Sequence, residues 1–132
     1  RFEAIKNSLD GILQEAESLD GTMIIGHAFK EATIELLRKV SDLLRQKAKS
    51  SVILLGASTE GSAFILLAVT EDLVKKGLKA NELIAEIAPL INGSGGGRPE
   101  LAQAGSKDAD KVEGAVQQAN KLIKEKIKSC RS

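Results

Sequence analysis

Two nearly continuous aliphatic runs, separated by a few turn residues, restrict the possible folds more than any other part of the chain. "SVILLGAS" covers residues 51–58 and "SAFILLAV" covers residues 62–69, with "STEG" at the connection. A short glycine-containing link between two such runs predicts a β-hairpin. Since neither run alternates with polar residues, both faces of these strands must be covered by other elements. The hairpin therefore predicts a sheet that lies between layers of helix.

The segments around the hairpin predict a mixed α/β fold. The apolar spacing predicts, in chain order, a strand at 22–29, a helix at 30–49, the hairpin, helices at 71–76 and 80–90, an edge strand at 100–104 and a long helix through 127. The first helix can cross between parallel strands, whereas the hairpin strands must be antiparallel. Thr70 and Gly77 would begin and end the short helix, and Ser106 or Asp108 would cap the last one. The expected fold class is α/β, with a mixed β-sheet covered by helices.

Residues 1–20 carry a different pattern. Their apolar residues alternate at spacings of three and four, which is typical of a coiled-coil seam: Phe2, Ile5, Leu9, Ile12, Ala16 and Leu19. We expect a coiled-coil-type helix ending at Asp20-Gly21, as the end of a helical subdomain (1–20) ahead of a globular domain (21–132). So narrow a stripe needs a partner in water. The partner is either the globular domain itself or another helix, and in the second case Phe2, Ile5, Leu9 and Ile12 form the dimer contact.

The composition excludes several classes of function. A chain of 132 residues is enough for one domain, and its net charge of +1 gives no global attraction to nucleic acid or membrane. With one histidine, His27, and one cysteine, Cys130, the usual zinc quartets and nucleophilic triads cannot be assembled. We therefore predict no catalytic residue, metal ligand or cofactor here. The near absence of cysteine favours a cytoplasmic protein, and no apolar run has membrane-spanning length. The chain begins with Arg1 rather than Met, which fits either a fragment of a longer protein or a processed chain.

A glycine-rich segment, "INGSGGGRPELAQAG", is the most unusual part of the sequence. Gly93, Gly95, Gly96 and Gly97 precede an Arg98-Pro99 pair. Successive glycines let backbone N–H groups converge on an anion, and an arginine adds a forked donor that matches phosphate. The alternative is a flexible surface connection without a ligand. The placement after a helix and before a strand differs from a dinucleotide-binding loop, and no Walker motif is present.

Basic residues are concentrated near the ends of two helices. The last helix carries Lys121, Lys124, Lys126, Lys128 and Arg131, and the first domain helix carries Arg38, Lys39, Arg45, Lys47 and Lys49. These cations either stabilise the helix dipoles or form a shared basic face for a phosphate backbone. Without interleaved aromatic residues, stacking on single-stranded bases is disfavoured, and recognition of folded RNA by shape fits better. On this hypothesis the glycines, Arg98 and the C-terminal lysines form one concentrated patch.

Two stretches resemble a known family. "GGGRPELAQAGSKD", residues 95–108, closely resembles the glycine motif near the C-terminus of alanyl-tRNA synthetases, in the domain associated with DHH phosphoesterases. "VKKGLKANELI", residues 74–84, is similar to the segment that precedes this motif in the family. The resemblance extends over most of residues 22–127, and the heptad helix is similar to the helical subdomain that the family carries before its globular C-terminal domain.

The resemblance implies a function without catalysis in this segment. In the family, this domain binds the outer corner of tRNA and helps to link aminoacylation with editing, and the helical part commonly mediates dimerisation. By this resemblance Gly95, Gly96, Gly97 and Arg98 make up the family's conserved loop. Together with the basic cluster of the last helix, the expected nucleic-acid-binding residues are Gly95, Gly96, Gly97, Arg98, Lys121, Lys124 and Lys128. The expected partners are tRNA(Ala), the remaining domains of a parent alanine–tRNA ligase and a second copy of the chain. The parent would use ATP, Mg and Zn, none of them in this fragment.

Two related alternatives stay open. DHH-type phosphoesterases usually have a histidine soon after the glycines, whereas Arg98-Pro99 stands there in this sequence. Their Asp-His-His metal site also lies in another domain, and a chain with a single histidine cannot contain it. The chain is alternatively the nucleic-acid-binding domain of such a phosphoesterase, or the C-terminal tail of a free-standing alanyl-tRNA editing protein.

Overall fold

A computed structural model describes residues 2–129, with the side chains described from Ser8 to Ser129. Its helices are α1 (Phe2–Gln14), α2 (Ile34–Lys47), α3 (Glu71–Lys75), α4 (Ala80–Ile87) and α5 (Val112–Ser129). Its strands are β1 (Glu17–Leu19), β2 (Thr22–Lys30), β3 (Ser51–Thr59), β4 (Ser62–Val69), β5 (Ser94–Arg98) and β6 (Leu101–Ser106). Two short 3-10 segments, Ala88–Ile91 and Ala109–Lys111, follow α4 and precede α5. The predicted mixed α/β class is confirmed.

All six strands form one sheet in the order β1-β2-β3-β4-β6-β5. β2 and β3 are parallel, as expected for strands joined by the crossover helix α2, and the other pairs are antiparallel. Glu60 and Gly61 join β3 to β4, both with positive φ (48° and 81°), which suits the twist of a tight hairpin. The predicted hairpin is therefore confirmed.

Helices cover both faces of the central strands. On one face, α4 and α5 bury Ile84 and Ile123 against a cluster that includes Leu54 of β3. On the other face, α1 and α2 form a second cluster that includes Leu37 and the neighbouring strand residue Ile53. Because successive strand residues point to opposite faces, the uninterrupted aliphatic run of β3 supplies both clusters. No helix in residues 2–129 combines the length and the hydropathy needed to cross a membrane.

The N-terminal segment differs from the predicted continuous helix. The helix α1 ends at Gln14, and residues 17–19 form the edge strand β1, in which Leu19 pairs with Thr22. The connecting Asp20 and Gly21 both have positive φ (54° and 79°), the geometry of a hairpin turn rather than of a helix end. Strand β1 thus joins the sheet across the predicted boundary between residues 20 and 21.

The buried side of α1 faces its own domain. Leu9 and Ile12 are 2% and 3% exposed and belong to the cluster with α2 and β2. Two partners were predicted for the heptad stripe, the globular domain itself or another helix. At Leu9 and Ile12 the partner is the globular domain. The side chains of Phe2 and Ile5 lie outside the described residues, as do Cys130 and Arg131.

Several predicted boundaries and caps are corrected. The crossover helix begins at Ile34 rather than Lys30, because β2 continues to Lys30 and Thr33 caps the helix by accepting from the N–H of Leu36 at 3.2 Å. The strand predicted at 100–104 lies at 101–106 and is internal, between β4 and β5. Neither Ser106 nor Asp108 caps α5: the Ser106 hydroxyl accepts from the N–H of Asp108, and the Asp108 carboxylate accepts from Asn92.

Candidate nucleic-acid interface

The glycine segment is an edge strand rather than a loop. All five residues of β5 are exposed, and they pair antiparallel with β6 from Ser94 opposite Gly105 to Arg98 opposite Leu101. A Cβ on Gly97 would lie 2.5 Å from the carbonyl oxygen of Leu101, so this backbone approaches β6 more closely than a side chain allows. The predicted anion-binding nest is therefore wrong in its geometry, because the chain is extended and the glycines first serve strand pairing.

Gly96 is the exception among these glycines. A Cβ placed there meets nothing within 4 Å. Opposed strand residues share a face, and Gly96 is opposite Gln103, whose side chain reaches Arg38 on α2. The strand therefore presents bare backbone on the side of the sheet that carries α2.

Arg98 follows on the same face and extends from a fixed turn. The N–H of Ala80 donates to the carbonyl of Pro99 at 2.7 Å, and the N–H of Val69 donates to the carbonyl of Glu100 at 3.0 Å. Nε of Arg98 lies 3.4 Å from Oε2 of Glu100, and the Arg98 side chain is 72% exposed. The expectation that Pro99 gives the arginine a rigid base agrees with these two backbone anchors.

An open groove of about 520 Å³ lies between α2 and the β5–β6 hairpin. Its lining consists of Arg38, Gly96, Gly97, Arg98, Leu101, Ala102 and Gln103. Gln103 was not predicted, and Arg38 was named only among the basic residues of the first domain helix. The sequence signal that could have found Gln103 is the alternation in β6, where this polar residue lies two residues from Leu101 on the face toward α2.

A larger groove of about 780 Å³ lies next to it, and its apolar lining residues include Val69 and Pro99. Its lining is net negative, because Arg45 is paired with Asp42, and Glu71 and Glu100 add further negative charge. This composition does not favour a polyanion.

The predicted lysines of α5 lie elsewhere. Nζ of Lys124 is 2.5 Å from Oε2 of Glu17 in β1, at the opposite edge of the sheet from β5. In a flat sheet these edges are about 24 Å apart, at about 4.8 Å for each strand spacing. Lys121 and Lys128 are exposed on the same helix. The structure does not bring Arg98 and the α5 lysines into one patch, because α5 packs on the opposite face of the sheet from α2 and Lys124 lies at the far edge.

The pair of Lys124 and Glu17 has an electrostatic consequence. The hydrogen bond from Lys124 holds the pKa of the Glu17 carboxyl below its ordinary value, with burial acting in the opposite direction and Asn120 adding a weaker bond at 3.5 Å. Part of the charge of Lys124 is thereby neutralised by its own domain. Lys126 is likewise paired, with Glu86 at 3.2 Å.

The single histidine contacts an aromatic side chain. His27 packs edge to face on Phe29, with ring centroids 4.6 Å apart. Between Ser8 and Ser129, His, Cys, Asp and Glu side chains form no group of three or more that could hold a metal ion.

Comparison with known proteins adds three findings. Residues 21–125 match the model of the DHHA1 domain family. The chain is 39% identical over 120 residues to an alanine–tRNA ligase of Alkaliphilus metalliredigens, and 36% identical over 127 residues to one of Acetivibrio thermocellus. These alignments cover 91% and 96% of the chain but 14% of each ligase, so the chain spans about one seventh of these relatives.

Two solved structures are also similar to this chain. The crystal structure of the C-Ala domain from Aquifex aeolicus alanyl-tRNA synthetase matches with a TM-score of 0.73 and 29% identity, over 83% of this chain and 98% of that one. A DHH domain protein described as a member of the s1p family of ribosomal proteins, PF0399, matches at 15% identity with a TM-score of 0.58, over 93% of this chain and 31% of that one. The second likeness shows the fold alone.

Proposed function

The chain belongs to the DHHA1 domain family, and from this premise we propose that it is the non-catalytic C-terminal domain of an alanine–tRNA ligase, where it binds the outer corner of tRNA. The observation that carries the proposal is the match to a C-Ala domain over nearly all of that domain's length. In the parent enzyme, such contact would hold one tRNA while it is aminoacylated and edited. ATP, Mg and Zn would act in the parent's other domains, in the cytoplasm.

The proposed RNA contact is made through the phosphate backbone. The exposed strand β5 offers Gly95, Gly96 and Gly97 without side chains, followed by Arg98 on its fixed turn. These groups donate hydrogen bonds and carry no base-specific pattern. Lys121, Lys124 and Lys128 would form a second contact, on a helix that packs on the opposite face of the sheet from α2.

Assembly is a separate proposal. A dimer through Phe2, Ile5, Leu9 and Ile12 would require the last two to leave the cluster in which they are buried. We favour a chain whose α1 packs on its own domain, with any dimer contact restricted to the beginning of the helix. Sedimentation of the intact chain at two concentrations distinguishes a monomer from a dimer.

The experiment that tests RNA binding is a fluorescence-anisotropy titration of the chain with a tRNA(Ala) transcript. The control ligand is a single-stranded RNA of the same length and base composition. We expect tighter binding to the folded transcript and an affinity that falls with salt, since shape and phosphates are recognised. Equal affinity for the two RNAs, or no salt dependence, would contradict the proposal.

A further inference from the structure

The guanidinium of Arg38 is positioned but not neutralised. Its Nη2 donates to Oε1 of Gln103 at 2.6 Å, and the amide acceptor carries no charge. Within residues 8–129, no carboxylate lies within ion-pair distance of Arg38. By contrast, Arg45, Lys124 and Lys126 each pair with an acidic side chain. A cation held in place by a neutral group is available to an external anion.

The same hydrogen bond orients Gln103. Because its Oε1 accepts from Arg38, its NH₂ group remains as a donor. Gln103 lies opposite Gly96, where no side chain covers the backbone, and Leu101 lies opposite Arg98. Two guanidinium groups and an amide donor therefore line one groove beside exposed backbone.

We infer that this groove binds a single backbone phosphodiester of the RNA between Arg38 and Arg98. The inference rests on the proposed function and adds to it a second arginine, from a different element of the fold. A phosphodiester only accepts hydrogen bonds at its non-bridging oxygens, and forked guanidinium donors match that geometry. The missing side chain at Gly96 lets the phosphate approach the strand.

One acidic group competes for this site. Glu100 lies 3.4 Å from Arg98, with 44% of its side chain exposed. An ion pair this exposed is weak, so Arg98 exchanges Glu100 for phosphate at little cost. Asp42, one helical turn from Arg38, is already paired with Arg45. The groove thus keeps net positive charge when it is empty.

The test compares two neighbouring cations of α2. Binding of the tRNA transcript is measured over a range of salt concentrations for the wild-type chain, Arg38→Gln and Lys39→Gln. Lys39 is exposed and does not line the groove. We expect Arg38→Gln to weaken binding about tenfold and to reduce the salt slope by about one. Lys39→Gln should stay within about twofold of the wild type.

The outcomes separate this inference from the proposed function. If the wild-type chain does not bind the transcript, the proposed function fails. If it binds and Arg38→Gln behaves like Lys39→Gln, the inference alone fails. Arg38→Lys guards against a folding artefact, because it keeps the charge without the fork. We expect it to bind about threefold more weakly with an unchanged salt slope, and wild-type affinity would contradict a forked contact.

A free anion is the alternative ligand with the same chemistry. Inorganic phosphate is titrated into the chain while the amide signals of Gly96 and Gly97 are followed by NMR. We expect shifts only at tens of millimolar phosphate, roughly as for an isolated contact, and smaller shifts in Arg38→Gln. Saturation at micromolar phosphate would assign the groove to a free anion and overturn the backbone site.

Discussion

Gly95 on β5 approaches the carbonyl oxygen of Gln103 on β6 so closely that a methyl group at Gly95 would lie 2.1 Å from that oxygen. This distance explains one glycine of the motif by packing rather than by ligand binding. Gly96, the next residue, differs from Gly95 because a methyl group there would meet nothing within 4 Å, and this difference can be tested.

Substitution of the glycines should separate these roles. Gly95→Ala should lower the free energy of unfolding by about 1–3 kcal/mol, because the strands must move apart. Gly96→Ala should change it by less than about 0.5 kcal/mol. Chemical denaturation of both variants checks the prediction. Equal losses for the two would mean that the close approach of β5 to β6 is not what requires glycine.

Removal of Glu100 should increase RNA affinity. Glu100→Gln frees Arg98 from its ion pair and should tighten tRNA binding by about two- to threefold at low salt, roughly the energy of an exposed pair. Glu113→Gln, an exposed acid on α5, controls for the general loss of negative charge. An identical gain in both variants would show that the pair with Arg98 has no specific effect.

The three α5 lysines should contribute unequally. Lys124 is held by Glu17, so Lys124→Gln should weaken RNA binding less than Lys128→Gln does. The measurement is the dissociation constant of each variant at one low salt concentration. A larger effect at Lys124 would indicate that the RNA displaces Glu17, and would contradict the prediction.

Stability should fall in acid through Asp72. Burial raises the pKa of this carboxyl, but hydrogen bonds from the hydroxyls of Ser50 and Thr70, each 2.6 Å long, and from the backbone N–H groups of Asp72 and Leu73 together outweigh it and hold the pKa below its ordinary value. A lowered folded-state pKa stabilises the protein above the unfolded value, about pH 4, and this stability is lost as the pH falls through the folded value.

The substitution Asp72→Asn tests the contribution of this carboxylate to stability. It should lower the free energy of unfolding by about 0.5 kcal/mol at pH 7, because Asp72 is exposed and solvent screens its interactions. The difference from the wild type should shrink below about pH 4. Thermal unfolding over a range of pH measures it, with Asp10→Asn on the exposed side of α1 as the control. A difference that persists unchanged at low pH would point to packing rather than charge.

The packing of α1 can be tested by its concentration dependence. Leu9→Ala removes a buried side chain and should cost about 2–4 kcal/mol of unfolding free energy. If α1 packs within one chain, neither the wild-type transition nor this loss should change with protein concentration. A midpoint that rises over a hundredfold increase in concentration would support a dimer instead.

The parts of the fold that follow from local rules were predictable. The aliphatic runs around Glu60-Gly61 predict a hairpin and its burial, because turn chemistry and hydrophobicity agree there. The parallel pairing of β2 with β3 follows from the helix between them. Asp20-Gly21, which connects β1 to β2, is also an acidic residue followed by glycine, like Glu60-Gly61. We predicted a helix end there, because the heptad spacing extends to Leu19.

The remaining features depend on contacts that no local pattern contains. Three consecutive glycines have little strand propensity, and β5 exists because β6 offers a partner that their small size allows. The pairing of Arg38 with Gln103 joins residues 65 positions apart. The sequence analysis proposed Arg98 as a site residue and grouped it with Lys124, because the strand order that separates the two is a tertiary property.

The groove is assembled from a helix near the start of the domain and a hairpin near its end, so it exists only when the whole sheet has closed. A polyanion bound there would contact both α2 and the β5–β6 hairpin. Because it binds only the folded domain, it would raise the melting temperature by mass action. At one hundred times the dissociation constant, the gain in folding free energy is about 2.7 kcal/mol. Heat resistance in the presence of RNA would therefore report occupancy without any label.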